Sequence, residues 1–203
     1  MNIYDNLNLL PEDLQGWQGN STLFGTLIQE LSPNIIVEVG SWKGQSSINM
    51  GKCIKKFNLP TKLYCIDTWL GALEFITTHK HTPERNLLLK NGYPQIYYQF
   101  LSNVVHNNLE DVIIPIPNTS FIGYKYLKYN NIHPELIYID GSHEYEDVMS
   151  DVTNFYDILS PGGIIFGDDY HNWGGVKQAI NEFTNKENIK FEIIENNFWV
   201  IRK

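Results

Sequence analysis

The pattern of apolar and polar positions divides the chain into two alternating kinds of segment. Short apolar runs, rich in β-branched residues, each stop at a glycine or a polar residue, which is typical of buried parallel strands. Longer segments repeat apolar residues at helical spacing. The predicted strands are 35–39, 62–66, 112–116, 136–139 and 164–166. The predicted helices are one with apolar positions over 23–31, capped by Asn20 or Ser21, and those at 45–57, 94–105, 121–129, 144–159 and 175–184.

Two further strands are predicted at the end of the chain, over 190–194 and 198–203. Residues 195–197 join them in a tight hairpin, since asparagine tolerates positive φ. Pro115 cannot donate to a ladder, which favours an edge or bulged position for the third strand. The pattern predicts an α/β fold of the Rossmann-like, doubly wound type. Its sheet is seven-stranded and mostly parallel with a reversed last strand, and helices cover both faces.

The length of 203 residues predicts one domain over residues 1–203. Residues 1–32 form a leader and its helix. Between residues 68 and 93 the periodicity breaks down, apart from a candidate short helix at 83–90. We interpret 68–93 as an insertion on the acceptor side, with His79, Lys80 and His81 in a lid or in an exposed loop.

Polar residues follow the predicted strands at the points where ligands bind in such sheets, outside the carboxyl ends of the strands. They are Glu38 and Gly40, Asp67, Thr119 and Ser120, Asp140, and Asp168 and Asp169. The sequence therefore predicts one ligand-binding edge.

The first of these loops is Gly40-Ser41-Trp42-Lys43-Gly44. Gly40 permits a tight turn, and Gly44 lets backbone approach a ligand closely. The amides at the start of the next helix favour an anionic group. Asp67, on the neighbouring strand, can accept hydrogen bonds from both hydroxyls of a ribose. The glycine spacing departs from the dinucleotide fingerprint, which needs Gly-x-Gly-x-x-Gly.

Three carboxylates, those of Asp140, Asp168 and Asp169, are expected to meet at the same edge. They would repel one another unless a cation offset their charge. Magnesium suits such oxygen ligands. In the alternative interpretation, Asp140 caps the helix at 144 and Asp168 or Asp169 caps the last helix.

The side chains around these carboxylates have plainer interpretations as well. His143 can be a surface residue at a helix start, and His171 and Trp173 can border an acceptor pocket. The acidic residues of the following helix are expected to form a solvated face; they are Glu144, Glu146, Asp147 and Asp151.

Composition narrows the functional classes. The formal net charge of -8 and the absence of a basic cluster argue against nucleic-acid binding. No apolar run approaches the roughly 20 residues of a membrane span. The N-terminus lacks a basic region and an apolar signal core, so a cytoplasmic location is expected. Cys53 and Cys65 fall within predicted elements and are interpreted as buried apolar residues.

The arrangement Glu38-x-Gly40-x-x-x-Gly44 resembles motif I of class I S-adenosylmethionine (SAM)-dependent methyltransferases, and the likeness extends over about residues 20–203. It implies that Gly40 and Ser41 line the methionine half of SAM and that Ser46 holds its carboxylate. Trp69 would stack on the adenine, or else pack under the loop. The implied donor site comprises Glu38, Gly40, Ser41, Gly44, Ser46, Asp67, Trp69, Thr119, Ser120 and Asp140.

The segment Asp140-Gly141-Ser142-His143, with the acidic pair after the fifth strand, resembles metal-dependent O-methyltransferases. These are the catechol O-methyltransferase type, the macrocin and mycinamicin sugar O-methyltransferases and the cephalosporin hydroxylase-like branch. The likeness implies that Asp140, Asp168 and Asp169 bind Mg²⁺ or another divalent cation. His143 stands where catechol-type enzymes have lysine, as in the sugar-methylating group, and would act as catalytic base.

The predicted function is therefore methyl transfer from SAM to a hydroxyl of a small molecule, such as a sugar or a glycoside. Two alternatives remain: a SAM- or nucleotide-binding module without catalysis, and an NAD-dependent oxidoreductase. No nucleic-acid or membrane partner is expected. The likeness to the sugar-methylating family also allows a homo-oligomer, in which the N-terminal helix packs against a neighbour.

Overall fold

The strands of the computed structural model, which describes residues 3–77, 85–195 and 197–203, form one seven-stranded sheet. They are β1 Ile35–Val39, β2 Lys62–Asp67, β3 Ile113–Pro117, β4 Leu136–Ile139, β5 Ile164–Gly167, β6 Phe191–Ile194 and β7 Phe198–Arg202. The order across the sheet is β3-β2-β1-β4-β5-β7-β6. Strands β1 to β5 are parallel to one another, and β7 lies antiparallel between β5 and β6. The predicted fold class is confirmed.

Helices cover both faces of this sheet. They are α1 Thr22–Leu31, α2 Gln45–Lys56, α3 Leu73–Ile76, α4 Ile96–His106, α5 Ser120–Tyr129, α6 Tyr145–Ile158 and α7 Gly174–Glu187. Apolar residues of α1, α2 and α4 share one core cluster with the sheet. Those of α5, α6 and α7 share the other. None of the helices in the described ranges has the length and apolar character needed to cross a membrane.

Several details follow the sequence closely. Strand β3 is an edge strand, as Pro115 indicates, and it pairs in register with β2. The predicted hairpin between β6 and β7 forms, but it is Glu195, with a φ of 51°, and not Asn197 that has a positive φ. Of the candidate helix at 83–90, residues 83 and 84 lie outside the described residues, and 86–89 are not helical. His79, Lys80 and His81 also lie outside them.

The leader before α1 has little regular secondary structure but makes many hydrogen bonds to the body of the protein. The Asn103 side chain of α4 donates to the carbonyl oxygens of Asp13 and Lys43, both at 2.7 Å. The Gln45 amide of α2 donates to the carbonyl of Leu14 at 3.0 Å. The leader is therefore fastened beside the β1–α2 loop, where ligands bind in folds of this kind.

Candidate active site

The β1–α2 loop has a backbone that its glycines make possible. Gly40 has a φ of 85°, and a Cβ there would lie 2.0 Å from the carbonyl oxygen of Asp140. Gly44 has a φ of 91°, a conformation that other residues rarely adopt. The close approach at Gly40 brings the predicted donor loop directly against the end of β4, where the acidic cluster begins.

Asp67 holds this loop from the neighbouring strand. One carboxylate oxygen accepts from the amides of Ser41 and Trp42 at 2.9 and 2.8 Å, and the other accepts from the Trp69 amide at 2.7 Å. Burial raises the pKa of Asp67, and these N–H groups oppose the shift. One carboxylate oxygen already accepts two N–H groups and the other accepts one, so at most one acceptor site is left for a ribose hydroxyl, not the two that the prediction needs.

Glu38 is fully buried beneath the loop. Its carboxylate accepts hydrogen bonds from the hydroxyls of Ser41, at 2.8 Å, Ser46 and Ser47. Burial raises its pKa, and these serine donors oppose that rise. Glu38 thus joins β1, the loop and the first turn of α2 from below.

This network changes the interpretation of Ser46. Its hydroxyl donates to Glu38 and lies in the buried interior, so the predicted hydroxyl contact with the donor's carboxylate does not fit the structure. A Cβ on Gly19 would lie 2.7 Å from the Ser46 backbone nitrogen, so the leader also approaches this helix start.

Trp69 requires a correction too. Only 1% of its surface is exposed, its Nε1 donates to the carbonyl of Trp42 at 2.8 Å, and its ring packs on Tyr97 and Phe100. A ring enclosed in this way has no free face on which to stack an adenine. The alternative, packing under the loop, is the one that the structure supports.

An aromatic cluster covers the outer side of the loop. The ring of Trp42 lies 4.9 Å from that of Phe75 and 6.3 Å from that of Trp17, measured between centroids. The Arg85 guanidinium lies over Trp17 and Phe75 at 5.2 and 5.6 Å. Sequence reasoning missed Trp17, Phe75 and Arg85, because they come from segments without periodicity.

The acidic cluster forms at the ends of β4 and β5. Oxygen or nitrogen ligand atoms of Asp140, His143 and Asp169 all lie within 4.8 Å of one another. Asp140 accepts from the Tyr138 hydroxyl at 2.9 Å, and Asp169 lies 3.0 Å from Nε2 of His143. Asp168 stands beside this group, but its Oδ1 accepts from Asn197 and from the Asp169 amide.

The acidic cluster carries more carboxylates than nearby positive groups. Burial raises the pKa of Asp140 well above its usual range, and the carboxylates of Asp168 and Asp169 add to that shift. Burial also raises the pKa of Asp168, to about 6. Asp169 has a lowered pKa, since hydrogen bonds from His143 and Asn172 outweigh its burial. An excess of oxygen ligands and of negative charge fits a divalent cation.

The capping alternatives for these carboxylates are wrong. The N-cap of α6 is Glu144 and that of α7 is Trp173, and no side chain caps either helix. His143 is not a plain surface residue either, because its ring stacks on Trp173 at 4.3 Å between centroids and 7° between planes. His171 instead packs its exposed side chain against Tyr170.

Asp151 departs from the expected solvated face of α6. Glu144, Glu146 and Asp147 are exposed, whereas Asp151 is only 5% exposed. Burial raises its pKa to about 6; the Asp147 charge adds to the shift and the Ser120 hydroxyl opposes it. Ser120 begins α5, after the N-cap Thr119.

Asp151→Asn is expected to stabilise the protein at neutral and alkaline pH. The folded state holds the Asp151 proton more tightly than the unfolded state, so its carboxylate costs up to about 3 kcal/mol above pH 6. That cost disappears as the pH falls through 6 towards 4. Thermal unfolding at pH 8, 6 and 4 should show an advantage of the variant that shrinks to nothing. An advantage that is constant with pH would contradict the assignment.

Comparison with known proteins gives a family and several structural relatives. The family described as "Methyltransferase domain" matches residues 37–170. An uncharacterized protein, y4gI, of Sinorhizobium fredii (strain NBRC 101917 / NGR234) is 25% identical over 143 residues. That match covers 70% of this chain, and the chain spans only 14% of the length of that relative.

Several solved structures of methyltransferases resemble this fold. The O-methyltransferase NovP has a TM-score of 0.67 at 18% identity, over 89% of this chain and 78% of its own. The calicheamicin methyltransferase CalS11 has a TM-score of 0.64 at 15% identity, over 89% and 76%. An O-methyltransferase from Bacillus cereus in complex with SAH has a TM-score of 0.61 at 14% identity, over 97% and 85%.

Proposed function

The chain belongs to the methyltransferase domain family, with the fold of the class I SAM-dependent methyltransferases, and we propose that it transfers the methyl group of SAM to a hydroxyl oxygen of a small molecule. One observation carries this proposal: the Gly40 turn of the donor loop lies against the backbone of Asp140, the first residue of the acidic cluster. In this proposal the donor and acceptor sites are therefore adjacent.

In this proposal the donor lies along the β1–α2 loop. Gly40, Ser41 and Gly44 line its methionine half, and Asp67 accepts from one ribose hydroxyl. Thr119, Ser120 and Asp140 border the remainder of the site. Glu38 acts from below the loop, and we assign no donor contact to Ser46 or to Trp69. The work of these residues is alignment, since in-line methyl transfer depends on the orientation of donor and acceptor.

A divalent cation such as Mg²⁺ would be held by the carboxylates of Asp140 and Asp169. Asp168 and His143 are the further residues that could contribute a ligand atom. When bound, it would lower the pKa of an acceptor hydroxyl. The grouping of Asp140, His143 and Asp169 supports the cation site.

His143 is proposed as the base that takes the hydroxyl proton. Its Nε2 faces Asp169 at 3.0 Å, and the Asp169 carboxylate would stabilise the imidazolium that forms. Stacking on Trp173 fixes the plane of the ring. Trp173 therefore borders the proposed acceptor pocket.

For the acceptor we propose a sugar or a glycoside first, because the similar protein CalS11 is described as a TDP-rhamnose 3'-O-methyltransferase. The cytoplasmic location and a homo-oligomer stay predictions.

Calorimetric titration of the protein is expected to show saturable binding of SAM and of S-adenosylhomocysteine (SAH), and none of NAD. Incubation with SAM, Mg²⁺ and a panel of hydroxyl compounds, including nucleotide sugars and catechols, should then release SAH with at least one acceptor. Binding of NAD instead of SAM would favour the oxidoreductase. Donor binding with no SAH released by any acceptor would favour the module without catalysis.

A further inference from the structure

Asn197 belongs to the hairpin of β6 and β7, yet its side chain is buried against the acidic pair after β5. The antiparallel pairing of β5 with β7 ends with Gly167 opposite Trp199, so Asn197 comes beside the residues that follow β5. A Cβ on Gly167 would lie 2.5 Å from the Trp199 ring, so the lack of a side chain there permits this close approach. Only 6% of Asn197 is exposed, and only 5% of Asp168. The hairpin therefore contributes a buried polar side chain to the border of the candidate cation site.

Asn197 holds the turn after β5 through three hydrogen bonds. Its side-chain amide donates to Oδ1 of Asp168, and its side-chain oxygen accepts from the His171 amide at 3.1 Å. Its carbonyl oxygen accepts from the Tyr170 amide at 3.2 Å. Between these points of the chain lies Asp169, whose φ of 67° is a conformation that residues other than glycine adopt at a cost. Asn197 therefore stabilises the chain on both sides of Asp169, whose carboxylate belongs to the group of possible ligands.

The bond to Asp168 also decides which of its oxygens is available to a cation. Oδ1 accepts from the side-chain amide of Asn197 and from the backbone amide of Asp169, which uses both of its acceptor sites. Among the described residues, none donates a hydrogen bond to Oδ2. Asp168 lines the same cavity as Asp140 and His143. Because the amide of Asn197 is neutral, it orients the carboxylate without offsetting the charge that would attract a cation.

We infer that Asn197 is a positioning residue of the cation site, which orients the Asp168 carboxylate so that Oδ2 is its ligand atom. The inference rests on the proposed function, since it assumes that Asp140 and Asp169 hold a divalent cation. Residues that hydrogen-bond to metal ligands fix their orientation, and the loss of such a residue weakens metal binding by about 10- to 100-fold. Mg²⁺ demands near-ideal octahedral geometry, whereas Ca²⁺ accepts a flexible arrangement of ligands. A misplaced carboxylate should therefore weaken Mg²⁺ more than Ca²⁺.

The test measures the affinities for Mg²⁺ and for Ca²⁺ by calorimetry at pH 8, with the metal alone, and compares their ratio between variants. A change in net charge acts on both divalent cations alike, and so does a loss of folded protein, so neither changes the ratio. Asn197→Ala is expected to weaken Mg²⁺ by about 10-fold and to lower the ratio by at least about threefold. Asn185→Ala, the same substitution at an exposed position of α7, should keep both wild-type values.

Asn197→Asp separates the two actions of the Asn197 side chain. Aspartate keeps the size and the oxygen that accepts from His171, but its carboxylate has no donor for Asp168. The ratio should therefore fall as in Asn197→Ala. A wild-type ratio in either variant would show that the side chain holds only the turn, and the inference would be overturned. If the wild-type protein itself bound neither cation, the cation site of the proposed function would be wrong, and this inference with it.

Discussion

Asp140→Asn and Asp169→Asn are each expected to abolish measurable Mg²⁺ or Mn²⁺ binding and to lower kcat by about 10³-fold with any acceptor that the panel identifies. Both carboxylates contribute atoms to the group of possible ligands at the ends of β4 and β5. Each substitution removes one negative charge and one strong ligand atom while keeping the size of the side chain. Calorimetric titration with the metal alone measures the first effect without an acceptor.

The matched control is Asp147→Asn, which makes the same chemical change on the exposed side of α6. It should leave metal affinity and turnover within about twofold, as exposed substitutions usually do. SAH affinity of the Asp169 variant should also stay near that of the wild type, because Asp169 lies on the acceptor side of the proposed site. Unchanged metal affinity in both Asp140→Asn and Asp169→Asn would eliminate the cation site.

His143→Ala separates two roles that the geometry allows for His143. As a base, its loss lowers turnover but leaves metal affinity within about threefold; as a ligand, its loss weakens the metal as well. His171→Ala, at an exposed position after β5, is the matched control. The distances alone favour neither role, since His143 shares one group with Asp140 and Asp169.

The sheet could be predicted from the sequence because burial on both faces requires continuous apolar runs, and each run ends where the chain turns towards a helix. Pro115 even indicated the edge position of β3. The strand ends then placed Gly40, Asp67 and Asp140 at one edge, since the carboxyl ends of parallel strands share it. Topology alone is enough for that much of the site.

The partner of each polar side chain could not be predicted in the same way. The Ser46 hydroxyl donates to Glu38, and Trp69 lies under the loop. Three-dimensional packing of the side chains decides which donor pairs with which acceptor, and the sequence pattern does not show that packing. The position of the leader could not be predicted for another reason. Its contacts with Ser102 and Asn103 join residues about 90 positions apart and follow no period.

Asp151 was misjudged although the sequence held a signal. It stands three positions after Val148 and four before Phe155, both buried, so helical spacing places it on the inward face. Grouping it with Glu146 and Asp147 by charge hid that spacing. Position on the helix is a better guide to burial here than residue type.

Glu38→Ala is expected to destabilise the protein by about 3–5 kcal/mol and to eliminate SAH binding. The substitution leaves a cavity and removes the acceptor of three serine hydroxyls, those of Ser41, Ser46 and Ser47. The loop backbone would keep its bonds to Asp67, Asn103 and Trp69 but lose its anchor to β1 and to the first turn of α2 from below. Urea unfolding followed by tryptophan fluorescence measures the first effect, and calorimetry with SAH the second.

Glu38→Gln tests whether the geometry of this network, rather than burial alone, matters. Glutamine fills the same volume, but its amide offers one acceptor oxygen with two lone pairs and an NH₂ donor group, so one of the three serines loses its acceptor and must reorient. We expect a smaller loss of stability, about 1–3 kcal/mol, with SAH binding weakened at least 10-fold. Glu187→Gln, at an exposed position near the end of α7, should change neither quantity appreciably. If Glu38→Gln kept wild-type SAH affinity, the serine network would be a packing feature of the core without influence on the donor loop.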